Sequence, residues 1–242
     1  MRKIKRILIL AIVTIIGVAS FGCKPYQKPE KPVYGDFECK VVTEHNGEEL
    51  DNPYVIVMGL SEEGKSKKTI VIPSKIGKYE VKIGGSGFYG YRGYWESDNL
   101  EKVYICNDVY IVASSFLWRT SVKQVFDMGS QQGVSTEKEN GEEIIKYMLY
   151  SDEDLGTVNV VFRRNDDPDK YGRYWIDILN NEKIAVIPPE PIRNGYKFDG
   201  WCKEEECITP WDFEHDIVPE PVYDEEGKCA NQIELFAKWV KE

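Results

Sequence analysis

Short runs of alternating apolar and polar residues, separated by turn-forming residues, predict a chain built of strands. Phe37-Glu-Cys-Lys-Val-Val-Thr43 alternates, Tyr54-Val-Ile-Val-Met58 returns with β-branched side chains, and between them His45-Asn46-Gly47 supplies a pair that tolerates positive φ. The pattern predicts a hairpin over residues 37 to 60, with a loop of two residues or longer. At the far end Ile233, Leu235, Ala237 and Trp239 place one apolar face inward on a last strand.

Between these ends an internal repeat emerges. Ile70-Val-Ile-Pro73, Leu100-Glu-Lys-Val103-Tyr-Ile105 and Val122-Lys-Gln-Val125 share the placing of their aliphatic residues. Val103 and Val125 stand 22 residues apart, whereas Ile70 and Val103 stand 33 apart, so the first interval holds an insertion. A second apolar pair follows in each unit, Val81 with Ile83 and Val109 with Ile111, and then Ser86-Gly-Phe88 or Ser114-Ser-Phe116. This pattern resembles the leucine-rich repeat of bacterial surface proteins, Leu-x-x-Ile-x-Ile-Pro-x-x-Val-x-x-Ile-x-x-x-Ala-Phe. The stretch Ile70 to Ile83 with Phe88 is the nearest to it, and Gly87 and Ser115 replace the Ala. The resemblance implies a short stack of about two and a half units whose ends need covers. The hairpin at 37–60 is one expected cover. The other is a hairpin around Asn140-Gly141 within residues 134–150, with a helix over Glu142 to Tyr150 as the alternative.

Acidic residues 151–156 break the pattern and read as a linker. Beyond them come Val158-Asn-Val-Val-Phe162, Trp175-Ile-Asp-Ile-Leu179, Pro189-Glu-Pro191, Gly195-Tyr-Lys-Phe-Asp-Gly-Trp201, Thr209-Pro-Trp-Asp-Phe213 and Leu235-Phe-Ala-Lys-Trp239. That succession resembles the Listeria–Bacteroides repeat, the B-repeat of internalins. It implies a small β-grasp, ubiquitin-like module over residues 157–242, of a kind that serves surface proteins as a spacer or adhesion unit. Two departures stand out: Pro219 to Asn231 is inserted before the last strand, and Asp166 to Gly172 replaces the usual Asn-Gly-Gly turn.

The N-terminus changes the compartment. Arg2, Lys3, Lys5 and Arg6 precede an uncharged apolar run from Ile7 to Phe21, a secretory signal pattern shorter than the ~20 apolar residues of a membrane span. Ser20-Phe-Gly-Cys23 resembles the bacterial lipobox, although Leu is more usual where Ser20 stands. The resemblance implies removal of residues 1–22 and a lipid on Cys23, with an ordinary cleaved signal or an uncleaved anchor as alternatives. Residues 23–34, punctuated by Pro25, Pro29 and Pro32, read as a solvated tether, and residues 35–150 as the repeat domain. Cleavage takes four basic residues from the 31 and none of the 41 acidic ones, leaving 27 against 41, or about −14. That sign is opposite to what a phosphate backbone attracts, so no nucleic-acid partner is expected.

Few residues offer chemistry. His45 and His215 lack a partner pattern, and both read as solvated loop residues; Asp212, Glu214, His215 and Asp216 form an occasional cation site at most. Of six cysteines, five follow Cys23, an odd number in a compartment that permits disulfides. Cys202 and Cys207 lack a second ligand pair for zinc and flank a loop of the resembled module, so a bridge between them is expected, with Cys229 competing for either. Such a bridge contributes on the order of 2 kcal/mol. Gly84 to Trp95 is glycine-rich but lacks the ending of a phosphate loop. Tyr89, Tyr91, Arg92, Tyr94 and Trp95 are instead a candidate ligand patch of interface-forming residue types, against the alternative that they cover the edge of the repeat core. Tyr196, Phe198, Trp201, Trp211, Phe213, Phe236 and Trp239 read as core of the small module rather than a sugar platform.

The expectation is therefore a mainly β lipoprotein, tethered outside the cytoplasm. It is expected to bind a protein or glycan ligand without catalysis, with no catalytic residue, cofactor or metal. A structural stalk or assembly subunit is the alternative, and a hydrolase a further one.

Overall fold

The structure, a computed structural model, describes residues 33–84, 95–111, 114–117, 119–129, 138–139, 142–143, 146–149, 152–166 and 173–242. Cys23 and the leader lie outside these residues, as do Phe88, Tyr89, Tyr91, Arg92, Tyr94, Asn140 and Gly141. The chain is mainly β. Its first two described residues, Val33–Tyr34 (β1), pair with the start of Phe37–His45 (β2), so the end of the expected tether is already strand.

The first hairpin joins β2 to Glu48–Leu60 (β3) with His45 opposite Glu48. Its loop is the two-residue form, Asn46 and Gly47 at φ 53° and 83°, the conformation that matches strand twist. A short helix over Glu62–Ser66 (α1) follows, which the alternation of residues did not predict. Ser61 caps it by accepting from the Gly64 amide at 3.0 Å, and its hydroxyl donates to the Gly35 carbonyl at 2.8 Å. Gly64 is required there, because a Cβ would fall 2.2 Å from the Asp36 carbonyl oxygen.

From here the chain coils. Thr69–Ile72 (β4), Lys75–Ile76 (β5) and Tyr79–Ile83 (β6) make the first pass. Glu96–Ser97 (β7), Lys102–Ile105 (β8) and Tyr110–Ile111 (β9) make the second. Arg119–Thr120 (β10) and Gln124–Asp127 (β11) begin a third. Each pass lays a strand parallel to its predecessor: β4, β8 and β11 form one ladder, β3, β6 and β9 a second, and β7 with β10 a third. The repeat positions fall opposite one another, Ile70 beside Val103 and Val103 beside Val125. Lys146–Leu149 (β14) extends the first ladder in parallel, after Lys138–Glu139 (β12) and Glu142–Glu143 (β13) pair antiparallel. Strand, not helix, therefore follows Glu142.

Inside the coil lie Ile70, Ile72, Val81, Ile83, Leu100, Val103, Ile105, Phe116, Val122 and Val125, with Phe37, Val55, Val57 and Leu60 closing one end. Trp95 corrects an expectation. It is fully buried, 4.8 Å from Phe116 and 6.0 Å from Phe37 between ring centroids, and it belongs to this core, not to a ligand patch. Burying so large an apolar ring is worth more to the coil than leaving it at the surface.

Across most of the expected linker at 151–156, Asp152–Thr157 is a 3₁₀ helix with Leu155 buried. The C-terminal sheet then runs in the order Arg173–Asp177 (β16), Val160–Arg163 (β15), Ile233–Lys241 (β18), Tyr196–Cys202 (β17), with β15 and β18 parallel at its centre. Buried Asn159 fastens its crossovers: the side-chain amide donates to the carbonyls of Leu179 (2.7 Å) and Pro219 (3.1 Å) and its oxygen accepts from the Leu179 amide (3.0 Å). With every group paired, this buried amide specifies the connection without an unmet polar cost. Trp201 and Trp211 are buried, with Phe198, Phe213 and Trp239 packed on their cluster, as expected of core aromatics.

The coil and the C-terminal sheet share a core. On β8 and β11 the side chains between the inward ones, Tyr104 and Phe126, are also buried, and they join a cluster with Val160, Phe162, Trp175, Ile176, Leu235 and Ala237. The first parallel ladder is thus covered on both faces, as parallel sheets require.

Candidate functional site

Trp175 and Asp177 stand two apart on β16 and so project from one face, toward β8. Trp175 stacks on Tyr104 at 5.0 Å and 19°, and Tyr104 stacks on Phe126 at 5.2 Å and 17°. Beside this column Asp177 is almost wholly enclosed. It accepts from the Tyr104 hydroxyl at 2.7 Å, from Lys102 Nζ at 3.1 Å and from the Ile178 amide at 2.8 Å, while Lys102 also donates to the Ile178 carbonyl at 3.3 Å. Burial raises the Asp177 carboxyl above the usual carboxylate range, against the pull of Lys102, Tyr104 and the Ile178 amide. Burial, with the Asp177 charge beside it, raises the Tyr104 phenol as well, so that proton stays in the hydrogen bond.

Adjoining the column is a cleft of about 310 Å³. Successive passes of the coil deliver one side of it at the ends of β4, β8 and β11: Pro73, Ser74 and Lys75, then Cys106, Asn107 and Asp108, then Met128. The other side comes from the C-terminal sheet, as Arg164, Tyr174 and Trp175, and from the proline loop, as Pro189, Glu190 and Ile192. Equivalent ends of stacked strands converge because the ladder continues past them, with the Cys106 amide donating to Ile72 and that of Met128 to Ile105.

The floor is uncharged. Burial pushes the Tyr174 phenol up to about 12 and the Cys106 thiol up to about 11, so both stay protonated near neutrality. Arg164 is neutralised by Asp166 at 2.8 Å and donates to the Ile192 carbonyl at 2.9 Å, which holds the proline loop over one end. Ser74, Lys75, Asn107, Asp108 and Glu190 make no side-chain hydrogen bond or ion pair with other described residues. The arrangement is that of a recess that holds a molecule by shape and by short polar groups.

The residues singled out from sequence mostly lie elsewhere. Of the expected patch, Trp95 is in the coil's core and the remainder falls outside the described residues. Cys202, Cys207 and Cys229 are all free thiols. Cys207 Sγ donates to the carbonyls of Phe236 at 3.8 Å and Ala237 at 3.6 Å, and its thiol is pushed up to about 12 by burial first and by the neighbouring Cys202 second. Cys229 Sγ instead lies 3.2 Å from Asn231 Oδ1. His215 Nδ1 is 2.8 Å from Asp212, whereas Asp216 is taken by Lys203 and the Asp212 amide, each at 2.8 Å. Those carboxylates close a turn, and among the described residues no three His, Cys, Asp or Glu are grouped to hold a metal ion. The cleft residues escaped the sequence reading because they come from six separate segments, and the polar ones among them are mostly ordinary turn residues. The Asn107-Asp108 pair, with Asp108 at φ 68°, was its one local signal.

Residues 159–222 match the family model of the Listeria–Bacteroides repeat domain. The matched segment spans β15, β16 and β17, and β18 completes the sheet from beyond it. No curated protein and no solved structure matches the chain.

Proposed function

We propose that the chain is a membrane-anchored extracytoplasmic lipoprotein that binds a protein or glycan ligand without catalysis. In this reading a short array of leucine-rich repeats of the bacterial surface type is fused to one β-grasp module. The 22-residue interval, with Val103 set beside Val125 in a parallel ladder, supports the repeat assignment. Parallel β15 and β18 at the centre of a four-stranded sheet support the β-grasp assignment. A lipid on Cys23 would hold both outside the cytoplasm, and Cys202 and Cys207 would bridge there under oxidising conditions.

The observation that carries binding is the cleft to which both parts contribute walls, beside a joint held by Asp177. The same joint favours a second reading, a rigid stalk or assembly subunit of the envelope. An acyl-probe label in cells, lost in Cys23→Ala, is expected for the full chain. The released chain is expected to bind at least one component of a cell-surface, matrix and glycan array. Labelling that survives Cys23→Ala overturns the anchor, and an array without any binding overturns the binding reading in favour of the stalk.

A further inference from the structure

We propose that the cleft between the strand ends of the coil and the C-terminal sheet takes a neutral saccharide, an inference that rests on the binding reading and names its ligand class. Three properties of the lining lead there. First, the charge balance excludes an anionic ligand. Arg164 is spoken for by Asp166, which leaves one lysine, Lys75, against two carboxylates, Asp108 and Glu190, among the lining residues, on a chain of net charge −10.

Second, the unpartnered groups suit hydroxyls. Ser74 and Asn107 both donate and accept, Asp108 and Glu190 accept, and Lys75 donates. A sugar hydroxyl, itself donor and acceptor, meets any of them, so several can be satisfied at once without a matching charge. Of the buried indole N–H groups that lack an acceptor among the described residues, those of Trp95, Trp175, Trp201 and Trp211, only that of Trp175 belongs to a residue lining this cleft, and it lies just beneath the surface. Tyr174 and Met128 add the apolar surface against which the C–H face of a pyranose packs.

Third, the backbone argues against an extended peptide. A peptide adds itself to a sheet through a row of free amides and carbonyls. Here the walls are turn residues and prolines, and Pro73 and Pro189 have no amide to give. Glu190 is flanked by Pro189 and Pro191, so the backbone that carries it has little freedom left to lose on binding.

The test uses the full chain in detergent solution, labelled with 5-fluorotryptophan and followed by ¹⁹F NMR, with the Trp175 resonance assigned by Trp175→Phe. Neutral di- to tetrasaccharides ending in glucose, galactose or N-acetylhexosamine are titrated beside their sialylated and sulfated counterparts and a lysine-rich peptide. The expected result is a saturable shift of the Trp175 signal with at least one neutral saccharide. Affinity should fall about tenfold in Asn107→Ala and in Glu190→Gln, surface changes that leave the fold intact. A Trp175 shift with only the anionic sugars or only the peptide overturns the proposal, as does no shift with any. If the chain binds the surface array and both variants bind it equally well, the saccharide assignment to this cleft fails while the binding reading stands.

Discussion

Trp175→Ala is expected to destabilise the chain by about 3–5 kcal/mol, the range for deleting a large buried aromatic. The loss should be felt in both parts of the molecule. Trp175 is about 1 % exposed and stacks on Tyr104, which belongs to the coil, while its own strand pairs with β15 of the C-terminal sheet. Removing the indole therefore empties a space lined from two sides, and neither side can close it alone. Urea denaturation followed by far-ultraviolet circular dichroism measures the loss. A change below about 1 kcal/mol would mean that the ring is not the keystone of a shared core.

The second large effect concerns Asp177. Its replacement by Ala leaves the Tyr104 hydroxyl and the Ile178 amide without their acceptor and Lys102, only 18 % exposed, without its counter-charge. The expected cost is about 3 kcal/mol at neutral pH. Asp177→Asn should cost much less, because the amide oxygen still accepts while the Tyr104 hydroxyl turns to accept in its place. The two also differ in pH dependence. Since burial raises the folded carboxyl, the folded chain takes up this proton more readily than the unfolded one. The group's contribution to stability is then complete below the unfolded value of about 3.9 and is lost as pH rises through the folded value. Stability measured from pH 4 to pH 7 should accordingly show a fall in the original chain relative to Asp177→Asn. A gap that stays constant across that range contradicts the raised carboxyl.

How much of this was legible beforehand depends on how local each signal is. Gly195-Tyr-Lys-Phe-Asp-Gly-Trp201 and Thr209-Pro-Trp-Asp-Phe213 are compact motifs, and they located the C-terminal module that the family match covers in part. Asn46-Gly47 marked a hairpin turn for steric reasons that do not depend on the fold, and left open the loop length that the structure gives as two residues. Ile70, Val103 and Val125 told of stacking through their intervals alone.

Trp95 misled because composition near it is rich in Tyr, Gly and Arg, which suits an interface, while its burial depends on Phe37 and Phe116 far away in the chain. The helix after Ser61 is five residues long, too short for a periodicity to register. The shared core left a trace that is plain in retrospect. Val103-Tyr-Ile105 and Val125-Phe126 run apolar without alternation, the mark of a strand covered on both faces. What covers them comes about seventy residues later, at Trp175 and Asp177, and no local pattern announces a partner at that separation.

The central claim, that coil and C-terminal sheet form one cooperative unit through the Tyr104–Trp175–Asp177 joint, is tested most directly by native-state hydrogen exchange. Amides of Tyr104 and Phe126 in the coil are compared with those of Val161 and Leu235 in the sheet, at increasing urea below the unfolding transition. Convergence of all four on one global opening free energy is predicted, with no partial opening that separates the two sets. Exchange of Val161 and Leu235 through an opening that leaves Tyr104 and Phe126 fully protected would contradict it.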